Sequence, residues 1–167
     1  MSVAAIIVTY NRLELLKECI FGVINQSEKI DKIYVVDNNS TDGTKKYLDD
    51  HFKHNNKFEI LLLDKNTGGA GGFSEGMKKA FRDGHSWLWV MDDDVEPDSG
   101  CLKEMLKYSN ISMCIHPSKF YKNTNLRHRW FGQISKRSGR NIRYKNDGFE
   151  NPKTKYLQVN IGCFEGM

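Results

Sequence analysis

The chain has 167 residues, 39% of them hydrophobic and 28% charged, which suits one folded domain with a substantial core and excludes a disordered chain. Its longest apolar runs, "VAAIIV" and "WLWVM", are far shorter than the roughly 20 residues of a membrane-spanning helix. The net charge of +4 is unevenly spread: residues 1–100 carry 12 Lys and Arg against 17 Asp and Glu, whereas residues 101–167 carry 13 against 4.

"VAAIIVT" (3–9) is a continuous, β-branched apolar run of buried-strand length. "SVAAIIVTY" lacks the basic flank and cleavage site of a signal peptide, so a cytoplasmic location is expected. Asn11 is placed to cap a helix in which Leu13, Leu16, Ile20, Val23 and Ile24 recur at helical spacing. "KIYVVD" (32–37) is a second strand, and "NNSTDGT" is a turn and cap leading into a short helix near 44–51. "FEILLLD" (58–64) is a third strand, followed by "NTGGAGG" and a helix with Phe73, Met77, Ala80 and Phe81 as its apolar stripe. "SWLWVM" (86–91) is a fourth strand, with Trp87 and Trp89 as core residues. Three aspartates follow, then Pro97 opens a helix through about Tyr108, and "ISMCIH" (111–116) reads as one more strand. Further on, "RWFGQIS" and "NIRYK" suit a hairpin around "KRSGR", and "KYLQVNIGCF" (155–164) suits a strand. Cys19, Cys101, Cys114 and Cys163 show no metal or redox spacing and read as reduced, mostly buried thiols.

Strands alternating with helices imply an α/β fold, an open and mostly parallel sheet with helices on both faces. Ligands of such sheets bind beyond the carboxyl ends of the strands. Four polar segments occupy those ends: Thr9, Tyr10, Asn11 and Arg12; Asp37 with Asn38 and Asn39; Asn66 to Gly72; and Asp92, Asp93 and Asp94. Their convergence on one edge carries more weight than any single motif.

Carboxylates at i and i+2 of an extended turn can face the same way and suit a hard divalent cation, Mg²⁺ or Mn²⁺, that keeps phosphate or water in its other positions. A solvated acidic turn is the alternative for Asp92 to Asp94. Asp37 is placed to accept from a nucleobase or ribose hydroxyl, or else to bond its own backbone. Gly68, Gly69, Gly71 and Gly72 allow either a flexible connection beside a ligand, the favoured reading, or tight packing of helix on sheet. The dinucleotide fingerprint fails at Ser74, and no Gly-Lys-Ser/Thr follows to make a P-loop. The basic stretch at 119–145 could attract phosphates, acidic glycans or an anionic membrane, or be a solvated surface. Trp130 within it could stack on a sugar ring; His116 and His128 receive no role.

Taken together, "AIIVTYNR", "VVDNNSTDGT", "NTGGAGGF" and "WLWVMDDDVEP" resemble, in order and spacing, the inverting nucleotide-sugar glycosyltransferases of family 2, with the galactofuranosyl- and rhamnosyltransferase branch nearest in look. The resemblance spans roughly residues 3–108 and implies the GT-A fold, a Rossmann-like nucleotide-binding sheet joined to an acceptor-binding part. It implies a donor-binding part over 1–116 and the start of an acceptor-side part over 117–167. Thr9, Tyr10, Asn11 and Arg12 would border the base, Asp37 would bond the uracil or thymine ring, and Asn66 to Gly72 would border ribose and diphosphate. Asp92 to Asp94 match the family's DxD-type motif, with Asp94 as direct metal ligand, Asp92 towards ribose or metal, and Mn²⁺ or Mg²⁺ as cofactor. The implied partners are a UDP- or dTDP-sugar donor and a glycan or lipid-linked acceptor, with no nucleic acid and with peripheral membrane contact through 119–145. The family's catalytic base lies beyond an "FEGM"-like stretch, which here runs to Met167. The general base is therefore expected beyond Met167, since Glu165 does not have the right spacing, and the chain is expected to be the donor-binding portion of a longer enzyme. A sugar nucleotidyltransferase is disfavoured because "TYNR" stands where its glycines and basic residue belong. A polyanion-binding module is the non-enzymatic alternative.

Overall fold

The computed structural model describes residues 1–117 and 120–122, and the backbone of 132–134 and 141–143. The chain divides into two compact units, the first centred on Met1–Leu102 and the second running Lys103–Cys163.

The first unit is an α/β sheet. Strands β1 (Val3–Thr9), β2 (Lys32–Asp37), β3 (Phe58–Leu62) and β4 (Trp87–Asp92) alternate with helices α1 (Leu13–Ile24), α2 (Thr44–Phe52) and α3 (Gly68–Arg82). The four strands are parallel, in the order β3-β2-β1-β4. Central position explains why β1 is buried at all seven residues and reads as an unbroken apolar run. β1, β2 and β3 step outwards in one direction, and the chain then crosses back to lay β4 on the other side of β1. The strand order therefore reverses between β1 and β4, which makes their carboxyl ends the ligand-binding crevice of this class of sheet.

The return crossing is made by α3, which lies against β1 and β2. Ala4, Ile6 and Val8 of β1, Tyr34 and Val36 of β2, and Phe73 and Ala80 of α3 form one core layer, with Leu61, Leu63 and Leu88 packed at its margin. Val3, Ala5 and Ile7 have the opposite parity, and are just as buried because α1 packs against β1 with Leu16, Cys19, Ile20 and Val23 inward. Helices thus cover both faces, as the alternating pattern predicts.

Several expectations are corrected. The glycine run is not a flexible connection: residues 68–72 are the opening turns of α3. A side chain at Gly72 would lie 2.6 Å from Val8 Cγ1, and one at Gly76 would lie 2.6 Å from Ile6 Cγ2. Close passage of helix over sheet therefore demands glycine there. Met77 and Phe81 share the helical period, yet Phe81 is 75% exposed, because Gly76 rather than Met77 takes the inward position. Trp87 and Trp89 are half-buried, not core, since β4 is the edge of the sheet among the described residues. The helix expected from Pro97 to Tyr108 is shorter, α4 (Cys101–Leu106), and its approach is pinned by Gln26, whose side-chain amide donates to Asp98 O (2.7 Å) and accepts from Leu102 N–H (2.9 Å). No strand forms at 111–116. Cys19 is buried, but Cys101 is partly exposed and Cys114 exposed.

In the second unit, β5 (Gly132–Ile134) and β6 (Asn141–Arg143) pair antiparallel, which is the hairpin expected between 130 and 145. The strand expected at 155–164 lies outside the described residues, as do Trp130, His128, Cys163, Glu165 and Met167.

Candidate functional site at the carboxyl edge of the sheet

The four strand-end loops are tied to one another by hydrogen bonds, and the ties explain why each polar residue is there. Between β1 and β4, the Thr9 hydroxyl donates to Asp93 Oδ2 at 2.7 Å, a bond buried at both ends. Arg12 Nη1 donates to Asp93 Oδ1 and to Asp94 Oδ2, each at 3.3 Å. Asp93 is only 3% exposed, and both its oxygens have partners. Asp92 and Asp94 on either side of it are exposed. The aspartate triplet is therefore tolerated partly through an internal counter-charge, where the motif alone suggests a metal or a solvated turn.

The net electrostatic balance still raises the pKa of the Asp93 carboxyl. Burial pushes its carboxyl above the usual range, the Thr9 hydroxyl and the Arg12 guanidinium pull it down, and neighbouring Asp94 pushes it up again. The same negative field reaches Cys19, whose thiol faces Asp92 O at 3.6 Å. Burial, then Asp93, Asp94 and Asp92, pushes that thiol up to about 12, so it stays protonated and unreactive.

Between β1 and β2, Asn11 adopts the left-handed region (φ 52), which asparagine tolerates better than most residues. A residue in that conformation does not cap the helix as expected. Instead Asn11 Oδ1 accepts from Thr41 N–H at 2.7 Å and its own N–H donates to Ser40 Oγ at 2.9 Å. The N–H at the start of α1 is satisfied from outside, by Asp42 Oδ2 on Leu13 N–H at 3.0 Å. Asp42 also accepts from the Thr44 N–H and hydroxyl, so "STDGT" is the turn and cap expected, with a second duty on α1. Asp37 is buried at the end of β2, where Oδ1 accepts from Ser40 N–H at 3.0 Å; this is the backbone-bonding alternative weighed for it. Tyr10 is 45% exposed on the same edge.

Between β2 and α3 the organising residue is Asn38, which the sequence places on the edge without a role. Its Oδ1 accepts from the Thr67 N–H (3.0 Å) and hydroxyl (3.1 Å), and its Nδ2 donates to Gly68 O at 2.9 Å. Gly71 is required beside this bond because a Cβ there would collide with the Thr67 side chain. Asn66 Oδ1 accepts from Gly68 N–H at 2.8 Å. Gly68 (φ 71) and Gly69 face open space. The glycines thus divide: Gly71 and Gly72 serve packing, while Gly68 and Gly69 leave the helix end approachable.

For a metal, the donor set consists of the exposed carboxylates of Asp92 and Asp94; Asp93 is fully engaged inside. No group of three His, Cys, Asp or Glu side chains gathers as a metal cage among the described residues. Two hard oxygen ligands fit Mg²⁺ or Mn²⁺ when phosphate oxygens and waters fill the remaining positions.

The profile of the family described as Glycosyl transferase family 2 matches residues 4–167. The chain belongs to that family. It is 35% identical over 105 residues to galactofuranosyltransferase GlfT1 of Mycolicibacterium smegmatis, covering 62% of this chain and 34% of the relative. The corresponding GlfT1 of Mycobacterium tuberculosis is 33% identical over 93 residues, covering 56% of this chain and 30% of the relative. The chain spans about a third of the length of these curated relatives. Among solved structures, S. aureus TarS 1–349 in complex with UDP superposes with a TM-score of 0.56 at 21% identity, covering 66% of this chain and 32% of that one. Mannosyltransferase PcManGT from Pyrobaculum calidifontis, in complex with GDP-Man and Mn²⁺, gives 0.55 at 23%, covering 68% and 33%. The fold of this family 2 chain is accordingly that of the GT-A glycosyltransferases, as its motifs imply.

Proposed function

We propose that this chain forms the donor-binding part of a glycosyltransferase that takes a sugar from a UDP- or dTDP-sugar and passes it, with inversion, to a glycan or lipid-linked acceptor. The observation that carries the proposal is the exposed pair Asp92 and Asp94 at the point where the strand order reverses, on the same edge as the loops of β1, β2 and α3. The relatives' name, galactofuranosyltransferase, and the UDP held by TarS support the donor class.

In this proposal Tyr10 and the loop held by Asn11 border the base, with Asp37 at the back of its pocket. The open end of α3 at Gly68 and Gly69 receives the diphosphate, where a helix N-terminus favours negative charge. Asp94 and Asp92 hold a divalent cation; Mn²⁺ in the PcManGT complex supports that choice. Bound there, the ion neutralises the diphosphate and improves it as a leaving group. The buried bond from Thr9 holds Asp93 in place within the turn that presents its two neighbours. Residues 1–116 constitute the donor side and 117–167 the beginning of the acceptor side. No described residue is proposed as the carboxylate that takes the proton from the acceptor hydroxyl. The basic stretch at 119–145 lies almost wholly outside the described residues and is proposed to meet anionic headgroups at the cytoplasmic membrane face. No helix among the described residues is long and apolar enough to cross a membrane.

A thermal-shift panel of UDP-, dTDP- and GDP-sugars, each with manganese, tests the proposal. Stabilisation by uridine or thymidine donors is expected, since a ligand that binds only the folded state raises the melting temperature. A flat response to every nucleotide sugar would remove the donor assignment.

A further inference from the structure

The contact between Arg12 and the aspartates has a consequence for how the metal and the nucleotide arrive. Asp93 cannot serve a metal: it is buried, one oxygen is held by Thr9 and the other by Arg12. Asp94 differs. It is 50% exposed and accepts from Arg12 Nη1 at 3.3 Å through Oδ2. Arg12 is itself 39% exposed, and the same Nη1 serves both Asp93 and Asp94.

We infer that Arg12 is the resident counter-cation of the aspartate turn, and that a divalent ion and a nucleotide diphosphate bind cooperatively because each must break the same Arg12–Asp94 pair. The inference rests on the donor-site proposal above. A divalent ion held by Asp94 would take the carboxylate that Arg12 uses and would lie close to a positive guanidinium. Even with the screening of an exposed site, that repulsion weakens bare metal binding by about tenfold. A diphosphate draws the guanidinium in the opposite sense, because Arg matches phosphate oxygens in a two-pronged geometry. Whichever ligand comes first breaks the pair, and the second is spared that cost. By linkage the benefit is equal in both directions. An exposed ion pair of this kind corresponds to a factor of up to about five. The expected result is a site that holds metal poorly when alone and well when loaded with nucleotide.

The test is titration of Mn²⁺, followed by the paramagnetic resonance signal of the free ion, with and without UDP. It compares the wild-type chain with Arg12→Gln and Arg12→Lys. Arg12→Gln should bind Mn²⁺ alone about five- to tenfold more tightly than wild type. The factor by which UDP strengthens Mn²⁺ binding should fall by a few fold, and Arg12→Lys should stay near wild type in bare-metal affinity. If Arg12→Gln fails to fold because Asp93 is left charged, Arg12→Gln/Asp93→Asn against Asp93→Asn carries the same expectation. Mn²⁺ binding by the arginine-free chain that is equal to or weaker than its reference, while UDP and Mn²⁺ still bind together, would overturn the role of Arg12 and leave the donor site standing. Absence of Mn²⁺ binding by wild type both with and without UDP would overturn both.

Discussion

The bond from Thr9 to Asp93 is the seam of the proposed site, and Thr9→Val is the sharpest way to open it. Valine keeps the shape and the β-branch of threonine, so β1 and its packing are preserved, but Asp93 Oδ2 loses its buried donor at 2.7 Å. Hydrogen bonds to charged groups contribute about 1.5–3 kcal/mol, so a loss of about 2 kcal/mol is expected at neutral pH. For a chain of this size that corresponds to a fall of roughly 4–8 °C in melting temperature. The sign of the pH dependence follows from Asp93, whose folded pKa is already raised. A carboxyl raised on folding destabilises the native state as pH rises from its ordinary value through the raised one. Removing the Thr9 hydroxyl removes one of the influences that lower the pKa, so that window extends further upward. The gap between variant and wild type should therefore be small near the ordinary carboxylate range, about pH 4, and widen towards neutrality. Urea denaturation across that range measures it. A Thr9→Val chain within about 0.3 kcal/mol of wild type at neutral pH would refute the reasoning, because a buried carboxylate that loses its donor cannot be indifferent to it.

Gly76→Ala should destabilise by about 1–2 kcal/mol, since the new methyl meets Ile6 and Val36 in a filled core and overpacking outweighs the gain in helix propensity. Gly69→Ala, facing open space, should be neutral or stabilising by up to about 1 kcal/mol; denaturant midpoints compare the two. Asn38→Ala should cost about 1–2 kcal/mol, because water can reach the exposed Thr67 and Gly68 in its place, and amide exchange should quicken at the first turn of α3. Iodoacetamide on the native chain, followed by peptide mapping, should label the exposed Cys114 and spare Cys19, whose thiol is buried and pushed up to about 12.

What the sequence could reveal here depended on how local the cause was. "VAAIIVT" and "KIYVVD" announce central parallel strands because a strand covered on both faces needs apolar residues at every position. The order of strands and helices, and the gathering of four polar loops on one edge, follow from that alternation. The glycine run misleads because glycine is a poor helix former. Gly72 and, one turn further on, Gly76 stand within the helix because Val8, Ile6 and Val36 leave no room for a Cβ at those inward positions, which is a fact about three elements at once. Asn11 misleads for a similar reason: its backbone is set by Ser40 and Thr41, about thirty residues away. The pairing of Arg12 with Asp93 spans 81 residues and depends on β1 and β4 being neighbours, a consequence of the crossover and not of any motif. Phe81 shows the limit of periodicity, since a helical stripe wider than the sheet it covers leaves its margin in solvent.

In the proposed donor site, Asp92 and Asp94 hold a nucleotide diphosphate through a divalent cation. Calorimetry of UDP binding, with and without Mn²⁺, to the wild-type chain and to Asp92→Asn and Asp94→Asn, tests it most directly. The account predicts that Mn²⁺ strengthens UDP binding to wild type by at least about tenfold and that Asp94→Asn abolishes most of the gain. Equal UDP affinity with and without Mn²⁺, or an Asp94→Asn chain that keeps the full metal effect, would contradict it.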